Sequence, residues 1–504
     1  MSCIPAGSVS IYNDGLNYIR FEWTGGMDDG RKDYFRKNAI TIQQVDNTNW
    51  WIRENRHTVY LQYADVSTDN PTGHRTLPQL ISIIMSWTAV SPEEALGAIT
   101  GYDSTNKLRI SCSYNLFNTQ FRYDTQPLLF TQLLTGSATV THNVNYSAVN
   151  LATTSGSSDK AVFQTKEYMP YHAGNDIFII IGALITSNIS TTNNIKRWGY
   201  FDDVNDKTGT DIGGCGVFFQ LNGTTGVISL NWRKFDSGSQ VDISVPQAQW
   251  NLDTLDNNSI SSNHLDLTKS NLFCFKIQVN GGLIMAGVNI NGTVTWAHQF
   301  YVSNTIAGPT LFNHSLPVRI ESKNTGASSS STTIVYSASV DLEGSSQIPL
   351  NPFNYNMNSN ASCPVILENV GDHRPLISIS LQPLYCRASI WPRSISVNSE
   401  TGMMCFWRLI LNATGLTPTW TNVGFNSYTR YSTNDQTVTI GTDSVILKSG
   451  YLSTYDTLNV SDIFENVGLH CDITGTIPDI LTLSVEYVRG AAKVRGSISW
   501  QESL

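Results

Sequence analysis

Hydrophobic and polar residues alternate with a period of two over much of this chain. Phe273, Phe275, Ile277 and Val279 are separated by Cys274, Lys276 and Gln278, and Val241, Ile243 and Val245 by Asp242 and Ser244. Further on, Leu376, Ile377, Ile379 and Leu381 form one such stretch, Leu481, Leu483, Val485 and Tyr487 another, and Val494, Ile498 and Trp500 a third. A period of two puts alternate side chains on opposite faces, so these segments predict half-buried β-strands. The longest apolar run, IFIIIGALI at 177–185, falls short of the roughly 20 residues a bilayer-spanning helix needs. It reads as a strand buried on both faces, and no membrane span is expected. Asn-Gly pairs at Asn222-Gly223, Asn280-Gly281 and Asn291-Gly292 punctuate the strands. That pair suits a tight two-residue hairpin because both positions accept positive φ.

The expected fold class is all-β, built from several antiparallel β-sandwiches with a jelly-roll or concanavalin-like centre and a small mixed N-terminal domain. Residues 1–107 would form the N-terminal attachment domain. It has strand-like stretches at 8–12, 17–23 and 58–63, then two short helices near 77–87 and 91–100. Ser91 can cap the second helix, Pro92 suits its first turn, and Glu93 and Glu94 complement the positive end of its dipole. Residues 108–345 form the central sandwich and 346–504 a C-terminal β domain. The Ser/Thr-rich stretch 326–333 reads as a loop and the proline-bearing stretch 347–363 as a linker.

Composition narrows the partners. Charged residues make up 14% of the chain and its formal net charge is −9, with no long run of either sign. Neither nucleic acid nor an anionic membrane surface is therefore an expected partner. Arg31, Lys32, Arg36 and Lys37 are interrupted by Asp33 and read as a solvated loop. The eight cysteines show no zinc-like spacing and are expected as free thiols. The N-terminus lacks signal-peptide features, which points to synthesis in the cytosol, and the Asn-x-Ser/Thr triplets are read as accidents of composition.

Candidate chemistry is sparse. Gly213-Gly214-Cys215-Gly216 has no phosphate-binding lysine after it, and no GxSxG or HExxH motif occurs. No catalytic residue and no cofactor is nominated. The best polar constellation is Asp202-Asp203 together with Asn251, Asp253 and Asp256. Converging on one point, such oxygens could hold Ca²⁺; a pair of the carboxylates set across a cleft could hydrolyse a glycan. Otherwise they serve as turn-forming side chains. Trp198, Tyr200 and Trp250, with Trp232 and Trp296, are the candidates for stacking on a sugar, against the alternative of filling the space between sheets. Lys196 and Arg197 read as a solvated strand end, and His298 as structural.

One order of short motifs stands out: LRIS (108–111), LFNTQFRY (116–123), QTKEYMPYHAGN (164–175), KRWGYFDD (196–203), GVFF (216–219), WNLDTLD (250–256), LDLTK (265–269) and LPVRIESKN (316–324). It continues with RPLISI (374–379), RASI (387–390), SGY (449–451) and GSISWQE (496–502). In this order they resemble a family of virion structural proteins, of minor capsid, vertex or fibre type, shared by tailed phages and large double-stranded DNA viruses. The chain departs from that pattern at Ala173-Gly174-Asn175-Asp176, where the family has a PGKS-like turn, and at Asn257, where it has glycine. The resemblance implies a non-enzymatic structural role in a virion, with copies of itself and other virion proteins as partners. The alternative it leaves is a glycan- or receptor-binding adhesin on the virion surface, with a host-surface glycan as partner, and behind that a glycan depolymerase.

Overall fold

A computed structural model of the chain describes the strands between Ser8 and Thr68 and residues 113–503, apart from short segments at 172–174, 208–213, 237–238, 258–260, 279–281, 303–309, 344–352, 360–362 and 465–467. The two helices expected at 77–87 and 91–100 lie outside the described residues. By its internal contacts the chain divides into two compact units, Met1–Tyr102 with Asn106–Arg109, and Asp103–Thr105 with Ile110–Leu504. In the first, Lys32–Arg36, Tyr18–Thr24, Ser8–Asp14 and Val66–Thr68 form a four-stranded sheet, and Thr41–Gln44, Asn49–Glu54 and His57–Gln62 a three-stranded one. Of the expected basic loop, Lys32–Arg36 is thus corrected to a strand, while Arg31 and Lys37 lie outside the described residues. Lys32 sits opposite Glu22 across the ladder and pairs with it at 3.3 Å.

Among the described residues the second unit holds one large hydrophobic core per sandwich and a small cluster of Ile410, Ala413 and Val438. The central sandwich stacks a seven-stranded sheet on an eight-stranded one. The seven run in the order Ser239–Pro246, Val227–Asp236, Gly216–Asn222, Asn194–Phe201, Val318–Asn324, Lys160–Thr165, Phe130–Thr135. In the eight-stranded sheet, Asp176–Leu184 lies between Ser331–Glu343 and Asn271–Gln278. All these pairings are antiparallel. A jelly roll uses about eight strands in all, so two sheets of this width match the concanavalin-like alternative. Phe273, Phe275 and Ile277 pack with Trp198, Phe219 and Leu230 from the facing sheet, as the period of two requires.

Two local expectations needed tertiary context. In the run 177–185, Ile177, Ile179 and Ile181 are fully buried but Phe178 and Ile180 only half so, because one face meets the core and the other is partly open. Asn291-Gly292 forms the expected two-residue turn, with φ of 55° and 89°. Asn222-Gly223 instead opens a longer loop, closed by Gly226 N donating to Asn222 O at 2.8 Å. Gly223 is there for close approach: a Cβ on it would lie 2.2 Å from the carbonyl oxygen of Thr191. Asn280-Gly281 lies outside the described residues.

The C-terminal sandwich packs a five-stranded sheet centred on Ala492–Ser503 and Ser389–Ser399 against a six-stranded sheet centred on His373–Leu381 and Ile480–Tyr487. Leu376 and Ile377 are both buried because a bulge between Pro375 and Ile377 resets the alternation. The outward set carries buried hydroxyls, and Ser378 meets Thr482 across the ladder at 3.0 Å. A polar seam joins this sandwich to the central one. Both Arg387 Nε and Nη2 donate to one oxygen of Asp202, at 2.9 and 2.7 Å, and Lys166 pairs with Asp479 at 3.0 Å.

Candidate functional site

Alternation along the seven-stranded sheet sends Trp198, Tyr200, Phe219, Trp232 and Ile320 into the core and turns Arg197, Phe201, Phe218, Arg233, Arg319 and Glu321 to the opposite face. That outer face is not open to water. Arg233, Arg319, Glu321, Phe201 and Phe218 are all buried. The chain leaving Phe201 folds back through a short 3₁₀ turn, Val204–Asp206, which Asp203 caps by accepting from Asn205 N. From this turn Asp206 pairs with both Lys160 and Arg319. Arg319 also holds Glu321 at 2.7 Å, Arg197 holds Glu321 at 3.2 Å, and Arg233 bridges Asp203 at 3.2 Å and Asp242 at 2.7 Å. The guanidinium groups of Arg233 and Arg319 also lie over the ring of Phe201, at 5.6 and 5.5 Å. Gly199, facing the same side, makes room, since a Cβ there would sit 2.8 Å from that of Phe218.

Asp203, Asp206 and Glu321 bring their carboxylates within 4.8 Å of one another. Their charge is already met by Arg233, Arg319, Arg197 and Lys160. Burial would push the Glu321 carboxyl up, but Arg319 and Arg197 outweigh it and hold it far below the usual range. The same balance, with Arg233 and Arg319, depresses Asp203. Such a network acts as a charge lock, and it holds Glu321 and Asp203 ionised rather than poised to donate a proton near neutrality.

The sequence-nominated acids do not converge. Asp202 is buried and bound by Cys215 N at 3.0 Å and by Arg387. Asp253 accepts from Leu255 N at 2.8 Å and Ser261 N at 2.9 Å, in a loop hung from the edge strand Thr293–Tyr301 by bonds to Ala297 O. Asp256 is exposed and accepts from Thr254 Oγ1 at 2.9 Å. Asn251 exchanges side-chain bonds with the Gln299 backbone, at 2.9 Å each way. Among the described residues, none of Asp202, Asp253 and Asp256 joins a carboxylate cluster of metal-binding size. They work as local Asx and seam groups.

The nominated aromatics are interior. Trp198 and Tyr200 have no exposed surface. Trp198 packs on Phe219 and Phe273, while Tyr200 OH donates to Met169 O and accepts from Leu316 N. Trp250 and Trp232 are buried too, with indole N–H groups donating to Val245 O and Thr310 O. Trp296 is half-buried against Phe178. A sugar ring has no approach to Trp198, Tyr200 or Trp250. His298 accepts from Asn251 N at 3.2 Å, and its burial lowers its pKa. Lys196 is not at a solvated strand end: it points between the sheets to Thr333 Oγ1 at 2.7 Å, and burial brings its pKa down to about 7. Glu167, which lies in the motif at 164–175 without being singled out as a site, is buried with its pKa pushed up to about 8.

One accessible arrangement is in the C-terminal sandwich; another pocket, of about 510 Å³, lies on the central one against Gln120, Arg122, Ser147, Tyr336 and Ser337. A half-open pocket of about 440 Å³ lies beside the loop 423–428, in the range of roughly 300–1,000 Å³ typical of small-ligand sites. Phe425 is 94% exposed and Phe353 66% exposed at its rim, and Tyr385 packs on Tyr428 with ring centres 4.9 Å apart. Asn422 and Asn426 add amides that are exposed and have no side-chain partner among the described residues. Gly424 and Asn426, with φ of 149° and 63°, shape the turn. The loop is anchored from behind by the fully buried Glu502, whose carboxylate accepts from Ser427 Oγ at 2.7 Å, Tyr428 N at 2.8 Å, Thr429 Oγ1 at 2.6 Å and Trp500 Nε1 at 3.0 Å. Gln382 Nε2 adds a bond to Ser427 O at 2.8 Å. The only sequence signal was an aromatic set between turn formers in GFNS, a place where no strand partner can bury it.

No family model matches the chain, and no curated protein matches it. Among solved structures it is similar to a legume lectin-like domain from Entamoeba histolytica (12% identity, 46% of this chain and 98% of that one, TM-score 0.29). It is similar also to a carbohydrate esterase from a Shiga toxin-encoding bacteriophage (9% identity, 46% and 100%, TM-score 0.27) and to an endo-1,3-beta-glucanase from Streptomyces sioyaensis (8% identity, 47% and 98%, TM-score 0.33). These figures assign this chain no ligand and no reaction.

Proposed function

We propose that this chain is a non-enzymatic glycan-binding protein that serves as an adhesive component of a virus particle, assembled with copies of itself and other virion proteins. The observation that carries glycan binding is the pocket at 423–428, where exposed aromatic faces and two uncommitted amides stand on a loop locked by Glu502. A pyranose ring offers an apolar face to an aromatic and hydroxyl groups to amides. Because Glu502 and Gln382 already order the loop, binding costs little conformational entropy. The charge lock on the central sheet supports a binding role over hydrolysis, since its acids are committed to arginines. The particle assignment rests on the order of motifs from 108 to 502.

The test is binding of the full chain to a broad glycan array beside its Phe425→Ala variant. Selective binding that weakens in the variant is expected. An array on which the unmodified chain binds nothing overturns the glycan reading. Mass spectrometry of purified particles checks the rest, and absence of the chain from them would sink the virion role.

A further inference from the structure

Building on the glycan reading of the same pocket, we infer that its ligand is a neutral pyranoside, and that Glu502 is the positioning residue that sets this preference and excludes acidic sugars. The pocket wall supplies aromatic rings, amides and the hydroxyls of Tyr385, Ser427 and Tyr428, and none of its lining residues is cationic. Sugars bearing a carboxylate or sulfate need a guanidinium, an ammonium or a cluster of aimed N–H donors to replace lost hydration. Here three of the nearby donors are already spent on Glu502. Ser427 Oγ, Tyr428 N and Thr429 Oγ1 all point inward to Glu502, away from the pocket.

Glu502 also contributes charge. Its carboxylate is fully buried and held by neutral donors, with no cationic partner among the described residues. Accepting from four donors and donating to none, it stands behind the loop as an acceptor-only carboxylate. Across a partly buried path, like charges several ångströms apart are worth roughly a ten-fold loss of affinity or more. The net charge of −9 acts in the same direction at longer range. A neutral ring meets none of this repulsion. Its apolar face can lie on Phe425 or Phe353, and its hydroxyls can use Asn422 and Asn426 as paired donors and acceptors.

The experiment is saturation-transfer NMR and calorimetry on the full chain with lactose, maltose and chitotriose as neutral probes and 3′-sialyllactose as the acidic one. Binding of at least one neutral probe is expected, with sialyllactose weaker than lactose by roughly ten-fold or more. Phe425→Ala should weaken the neutral probe by roughly ten-fold, the size of one aromatic contact. Asn422→Ala provides a second variant on an exposed side chain. Glu502→Gln keeps the shape and most acceptor sites while removing the charge, so it should narrow the gap between lactose and sialyllactose; a merely structural role would leave that gap unchanged. Preferred binding of sialyllactose overturns the inference and leaves glycan binding standing. Neutral binding that survives both Phe425→Ala and Asn422→Ala moves the site elsewhere. If neither the probes nor the array bind, the glycan reading itself fails.

Discussion

The central and C-terminal sandwiches use one architecture to opposite ends. In the central one the polar face of a sheet carries arginines, lysine and acids that neutralise each other beneath a folded-back turn, so that Arg319 and Glu321 are as buried as the hydrophobic core. In the C-terminal one the buried acid Glu502 binds neutral donors beneath a loop whose aromatic and amide groups face solvent. Polar residues inside a sandwich can thus close a surface or prepare one. What decides is whether their partners are other charges on the same face or the backbone of a loop.

Substitutions separate these two uses, and the largest effect belongs to the charge lock. Arg319→Ala takes one cation from each of Glu321 and Asp206, leaving them Arg197 and Lys160, and should cost about 3 kcal/mol by denaturant titration, the low end for breaking a buried pair, with no specific effect on sugar binding if unfolding is avoided by working in the cold. Glu502→Ala leaves three donors and the Trp500 N–H unpaired, and about 2–4 kcal/mol is expected, together with loss of the pocket. A Glu502→Ala protein that still bound sugar normally would break the comparison, because the loop would then not depend on its anchor.

The next effect is a slope with pH. Burial raises the Glu167 carboxyl from 4.5 to about 8. Below about 4.5 the folded and unfolded chains both carry that proton; between there and about 8 the unfolded chain loses it while the folded one keeps it. This group's contribution therefore falls as pH rises through that window, and Glu167→Gln should flatten the fall in stability measured from pH 5 to 8. Lys196, lowered by burial to about 7, acts in the opposite direction above that pH, since the unfolded chain holds the extra proton there. If Glu167→Gln does not change the slope, the carboxyl is hydrated in the folded protein. The smallest effect expected is that of Phe425→Ala on stability, within about 0.5 kcal/mol for so exposed a side chain, against its clear loss of binding. A large fall in melting temperature would show that Phe425 is a packing residue and remove the contrast between the two sandwiches.

Much of the fold was legible before any coordinates. The alternation at 273–277 and 481–485 put the right residues in the core, and Asn291-Gly292 made the turn it announced. The site was less legible. Trp198, Tyr200 and Trp250 were proper candidates by residue type, yet alternation places Trp198 and Tyr200 on the same face as the core, which a stricter count along 194–201 would have shown. Nothing in KRWGYFDD reveals that Arg197 meets Glu321 or that Asp202 meets Arg387, because these partners lie 124 and 185 residues away.

What the sequence alone determined is the strand content, the facing of most side chains and the all-β class, since these follow from a period of two and from local turn chemistry that each segment carries within itself. Only the tertiary structure decided which charges are neutralised and which aromatics reach solvent. Burial and pairing depend on what the folded chain lays across each face: the 204–206 turn over Arg319, the facing sheet over Trp198, and nothing over Phe425.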